Sequence, residues 1–180
     1  MDILRKQKGS RVRRLTKEQI RRKALDLRRL YNIADGYVDV TDLIELCMSQ
    51  SRFRFHIVND EELPGIAAFS SPQDHYMEIA ESIYNKAYNN DPKARFIIAH
   101  EIGHIHIGHS TPLQWATTEN ICRHPLDDSE YQADIYAVEL LLPITGVIKC
   151  KNPRHVSEKY VVEQTVAFDR WIEIQNEGLF

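Results

Sequence analysis

The sequence predicts an α+β fold: a small antiparallel sheet packed on a buried helix, with further helices flanking it. Three observations carry this. Phe53-Arg54-Phe55-His56-Ile57 alternates apolar and polar residues, the period of a half-buried strand. Gly65 to Ser70 and Tyr76 to Ala80 read as two more strands, joined by the turn residues Ser71-Pro72-Gln73-Asp74. Phe96 to Ile107 is then an apolar run long enough for a buried helix, yet it contains His100, Glu101 and His104.

Taken in order, residues 1–14 read as a flexible basic leader and residues 15–180 as a single domain. Thr16 with Glu18 and Gln19 starts a helix near residue 17, with Ile20, Ala24, Leu27 and Tyr31 on one face. Gly36 breaks it, and Val40-Thr41-Asp42 caps a second helix through about Met48. In the sheet, Tyr76–Ala80 is the expected edge, where unpaired backbone groups can accept an extended chain. Asp91-Pro92 starts the long helix, with Asp at the cap and Pro in the first helical position, and Gly108 ends it. Residues 109–127, including His109, Trp115, His124 and Pro125, form a loop of the kind that lines clefts. Asp127, Asp128 or Ser129 caps the next helix, which ends near Pro143 and buries Ile135, Val138, Leu141 and Leu142. A final helix is expected from Ser157 to about Gln175, with Val161, Val162, Val166, Phe168 and Trp171 as its apolar content.

The chemistry lies in the long helix. His100 and His104, four apart, lie on one face about one turn from each other. Both imidazoles can therefore bind one zinc ion. Glu101 sits beside the first ligand and can reach a metal-held water without binding the metal. A bare structural helix would have to explain three polar groups in an apolar run, where unpaired ones are costly.

Such a centre needs a third protein ligand and an open position. Glu130 and Asp134, four apart on the following helix, share a face. Glu130 can bind the metal; Asp134 can accept the N–H of a ligand histidine and fix its tautomer. Two acidic residues near a helix start also suit the macrodipole without any metal. The half-built site upstream favours the ligand reading. A transition-state stabiliser is also needed, and His109, His124, Tyr76 and Tyr131 are the candidates.

Two blocks, Arg95-Phe96-Ile97-Ile98-Ala99-His100-Glu101-Ile102-Gly103-His104 and Glu130-Tyr131-Gln132-Ala133-Asp134 through Ala137-Val138-Glu139-Leu140-Leu141-Leu142-Pro143, resemble the ImmA/IrrE family of zinc metallopeptidases. The strong likeness covers residues 95–143, with a weaker one over Gly65 to Ala80 and in the C-terminal tail. The resemblance implies a zincin-like fold and selective intracellular proteolysis. The usual targets are helix-turn-helix repressors, whose cleavage switches on mobile elements or stress responses. It also implies His100, His104 and Glu130 as metal ligands and Glu101 as general base. One departure is that the family often has a histidine four residues after the second ligand; here Gly108 stands there and His109 follows.

Composition narrows the class. An apolar content of 43% over 180 residues suits one globular domain with a real core. No run approaches a membrane span, and Met1-Asp2-Ile3-Leu4-Arg5-Lys6 is too polar for a signal peptide, so a cytoplasmic location is expected. Cys47, Cys122 and Cys150 do not form a disulfide framework, and the Cys122/His124 pair lacks the partners of a structural zinc site. Residues 1–30 hold twelve Lys/Arg against Asp2, Glu18 and Asp26, in a chain whose total is −3. Such an arm can bind nucleic acid or simply be a solvated helix face.

The first reading is thus a zinc endopeptidase whose partner is a protein substrate, a DNA-binding repressor. A His/His/Glu set also accepts other divalent metals. Two further readings stay open. One is a zinc-stabilised regulatory protein that binds a repressor without cutting it; the other is a nucleic-acid-binding protein using the basic arm.

Overall fold

The computed structural model describes residues 9–109 and 124–179; Trp115, Cys122 and the start of the leader lie outside the described residues. α1 (Lys17–Leu30) opens on a capping box: Thr16 Oγ accepts from Gln19 N–H, and Gln19 Oε1 accepts from Thr16 N–H. Ile20, Ala24 and Leu27 are buried along it, as expected. α2 (Val40–Ser49) begins after Asp39, whose carboxylate takes the N–H groups of Thr41 and Asp42.

β1 (Arg54–Val58), β2 (Ala68–Ser71) and β3 (Tyr76–Ala80) form one sheet in the order β1-β3-β2. β2 and β3 make the expected antiparallel hairpin, but β1 joins β3 in parallel, so the sheet is mixed. Tyr76–Ala80 is therefore the central strand and not an edge. Burial explains this: Met77, Ile79 and Ala80 make β3 the most buried strand, and hydrogen-bonding partners on both sides suit it best. β2 is left as the edge that packs against the long helix.

α3 (Glu81–Tyr88) follows β3 directly and was not legible beforehand; Ala87 is its one buried residue. α4 (Pro92–Ile107) has Asp91 accepting from Ala94 N–H at 2.8 Å and ends at Gly108 in the left-handed conformation. α5 (Ser129–Leu141) is capped by Asp128, which accepts from Glu130 and Tyr131 N–H. α5 lies along α4, and Gly103 sets their separation: a Cβ there would stand 3.1 Å from Tyr136 and 3.2 Å from the Ala133 carbonyl. Ile135, Leu141 and Leu142 are buried, while Val138 is only half-buried.

The expected last helix is two, α7 (Pro153–Tyr160) and α8 (Gln164–Asn176), after the short α6 (Ile144–Val147). The break falls at Val161, which adopts φ 53°. The buried Arg95 guanidinium accounts for it by donating to the carbonyls of Tyr160 and Val161, which a continuous helix would use itself. Phe168, part of the apolar content of that stretch, is 53% exposed.

Beneath the C-terminal half of α5, Arg170 and Glu139 form a buried pair. Arg170 donates to both Glu139 oxygens, at 3.0 and 2.5 Å, and to the Leu142 carbonyl. Arg21 donates a further bond to Glu139 Oε1 at 3.0 Å.

The leader is not loose throughout. Residues 9–14 lie extended across the start of α5: Ser10 and Ser129 exchange bonds, Val12 N–H reaches the Asp127 carbonyl, and Arg14 forks onto Asp127. These contacts satisfy backbone groups that a free leader would leave to water. No described helix is long and apolar enough to cross a membrane, and Cys47 and Cys150 are buried free thiols.

Candidate metal centre

α4 and α5 bring His100, His104 and Glu130 together. The two Nε2 atoms are 3.0 Å apart; Glu130 Oε2 is 3.2 Å from His100 Nε2, and Oε1 is 3.4 Å from His104 Nε2. Ligand atoms of a tetrahedral zinc centre, with bonds of about 2.0–2.1 Å, stand about 3.3 Å from one another. The three side chains are thus already at ligand spacing. Two imidazole nitrogens this close repel each other unless a proton or cation lies between them. Two nitrogens and a carboxylate suit zinc and several other divalent ions. The residues fit such an ion.

His100 Nδ1 lies 2.8 Å from Asp134 Oδ1, so an N–H there turns Nε2 toward His104 and Glu130. Burial disfavours protonated His100, but hydrogen bonds to Asp134 and Glu130 outweigh it and push its pKa up to about 10 in the metal-free site. The hydrogen bond to His100, with the imidazole of His104 close by, holds the Glu130 carboxyl well below the usual carboxylate range. The centre is therefore built around cationic charge that a metal can replace.

Glu101 ligates nothing in the trio. It lines a cleft of about 370 Å³ together with His104, His109 and Glu130. β2 and the following turn form one wall, from Ala68 to Gln73, and Ser10 and Ser129 complete the lining. Ser70 Oγ donates to Glu101 Oε2 at 2.6 Å, which holds the carboxylate in place.

The four expected transition-state stabilisers separate. His109 is in the cleft lining, but both its ring nitrogens are engaged, Nδ1 with His104 Nδ1 at 2.8 Å and Nε2 with Gln132 Oε1 at 3.1 Å. Burial and the neighbouring His104 push its pKa down to about 4, so the ring is neutral. His124 is exposed and accepts from Leu126 N–H at the start of a 3-10 turn, Pro125–Asp127. The Tyr76 hydroxyl donates to Glu78 on the same strand, and Tyr131 packs against the core. Those three residues do not line the cleft.

Sequence reasoning missed Ser70, Gln132 and Ser10. Ser70 had a usable signal, since it lies in a strand expected beside the metal helix. Gln132 and Ser10 had none: Leu126 is near Gln132, but Arg13 and Ser129, which join the two segments, each lie 119 positions from their partner. Many cations of the basic arm turn out to be tied down: Arg14 to Asp127, Lys17 to Glu173, Arg21 to Glu139 and Glu177, and buried Arg28 to the Ala34, Gly36 and Leu140 carbonyls.

Among known families, the model described as Peptidase M78, IrrE N-terminal-like domain, matches residues 56–168. No curated protein and no solved structure gives a significant match.

Proposed function

The chain belongs to the IrrE N-terminal-like family of M78 peptidases, and from that premise we propose that it is a zinc-dependent intracellular endopeptidase. Its substrate is a helix-turn-helix repressor, cut to switch a mobile-element or stress-response programme. The choice of repressor follows from the family resemblance. The peptidase reading is supported by one observation of this molecule: three side chains able to hold a metal ion stand at tetrahedral ligand spacing beside a cleft, and Glu101, tethered by Ser70 and outside that trio, lines the same cleft. A purely structural zinc site closes with four protein ligands and has no use for a base.

His100, His104 and Glu130 would hold the ion, which supplies Lewis acidity toward a peptide carbonyl and toward water. Glu101 takes the proton of the attacking water and hands it to the leaving amine. Ser70 binds one carboxylate oxygen and leaves the other for that proton. β2 lines the cleft and has a strand partner on one side only among the described residues, so an extended substrate can pair along it.

Elemental analysis tests the centre. The wild type should carry about one zinc per chain, and His104→Ala and Glu130→Ala should carry none. Glu101→Gln should keep its zinc and lose cleavage by about 10²-fold or more. Comparing protein termini in cells expressing wild type or Glu101→Gln should reveal a new terminus within a repressor in the wild type alone. Wild-type protein that takes up no metal after refolding with zinc, or Glu101→Gln that cuts at the wild-type rate, sinks the reading.

A further inference from the structure

The cleft leaves one of its histidines without a catalytic task. His109 stands behind His104, with its own far nitrogen on Gln132. Gln132 is 0% exposed, and its Nε2 lies 2.9 Å from the Arg13 carbonyl and 2.7 Å from the Leu126 carbonyl. A flipped amide would press its oxygen against two carbonyl oxygens in a dry interior, so the orientation is forced. Gln132 Oε1 is then an acceptor, and His109 must carry its hydrogen on Nε2 to meet it. His109 is 6% exposed and its ring is bonded to an amide and an imidazole with no carboxylate to balance a charge, so it carries one N–H, spent on Gln132, and its Nδ1 is a bare acceptor. The nitrogen facing it at 2.8 Å, His104 Nδ1, must therefore donate. That leaves His104 Nε2 with a free lone pair, aimed at His100 and Glu130.

We propose that Gln132 and His109 are positioning residues for the metal centre, a relay that fixes His104 in its metal-competent tautomer. The relay ends on the carbonyl of Arg13, in the N-terminal strap. The inference rests on the metal-centre reading above and goes beyond it in assigning His109, Gln132 and the strap a shared task. The two ligand histidines are thus supported differently. His100 leans directly on the Asp134 carboxylate, whereas His104 leans on a neutral chain two side chains long. The strap can approach this closely because residue 9 is glycine: a Cβ there would fall 2.5 Å from Ser129 Oγ and 2.7 Å from Glu130 Cγ.

Long-range ¹H–¹⁵N spectra of the full-length, metal-free protein test the relay without any variant. His104 should appear with its hydrogen on Nδ1, and His109 with its hydrogen on Nε2. Cobalt(II) titration gives the second readout. His109→Phe keeps the ring volume but removes the acceptor, and should weaken cobalt binding about 10- to 100-fold. His109→Asn keeps an acceptor near the Nδ1 position and should recover most of that loss. His104 with its hydrogen on Nε2 overturns the relay, as does unchanged cobalt affinity in His109→Phe. Wild-type protein that binds no cobalt while showing both expected tautomers refutes the metal centre, and with it the purpose assigned to the relay.

Discussion

α5 carries two carboxylate centres of opposite character, one near each end. Glu130 faces two imidazoles across a gap that suits a cation and opens on the cleft. Glu139 faces two guanidinium groups, is 2% exposed, and has both oxygens bonded. They stand two and a half turns apart and project from opposite sides of one helix, Glu139 buried and Glu130 half-buried. Their partners distinguish them: two guanidinium groups give Glu139 a permanent charge match, whereas the imidazoles facing Glu130 carry only exchangeable protons that a metal ion can replace. The first centre is poised to take a ligand; the second holds the C-terminal helix to α5.

The comparison breaks most sharply at Glu139. Glu139→Ala strands the buried Arg170 charge and should cost about 3–5 kcal/mol in urea denaturation, with zinc still bound per folded chain. If the midpoint barely moves, the pair is not the clamp described here. The reverse pattern is expected of Glu130→Ala. Zinc at about a thousand times its dissociation constant should stabilise the wild type by about 4 kcal/mol, and Glu130→Ala should show no such gain in a thermal scan.

A smaller effect should follow pH. In the metal-free fold the His100 pKa is raised to about 10, above an unfolded value of about 6.5. Its contribution is therefore complete below pH 6.5 and fades as pH rises toward 10. Denaturation in chelator at pH 7 and pH 9.5 should show the higher pH to be less stable, and His100→Gln should flatten the difference. Zinc must displace that same proton, so its affinity should fall as pH drops. The least change is expected at the exposed Arg154–Glu158 pair on α7, where Arg154→Ala should leave the denaturation midpoint unmoved.

The clustering of His100, His104 and Glu130 was largely legible in the sequence because these residues obey helical spacing. His100 and His104 on α4, and Glu130 and Asp134 on α5, are each four apart, and α5 was the next amphipathic helix with acidic residues near its start. The strand order was not legible. Three short strands in a row suggest a meander, and nothing local shows that β1 pairs past β2 onto β3. The break at Val161 depends on Arg95, a residue 66 positions earlier. Gln132 looks like any polar residue inside a helix until the Arg13 carbonyl, 119 positions away, gives it an orientation. Charged and metal-binding side chains announce themselves by type, while neutral amides and hydroxyls acquire a role only through tertiary neighbours.

Ser70 joins the base to the strand that walls the cleft. For a peptide lying along β2, the strand then acts as a ruler whose zero mark is Glu101. Side chains of an extended peptide alternate between two faces, so sliding it by one residue turns every side chain over, and only a slide by two restores the pattern. Substrate variants with one residue inserted before the cut bond should fail where two-residue insertions are still cleaved, giving the enzyme a reading frame.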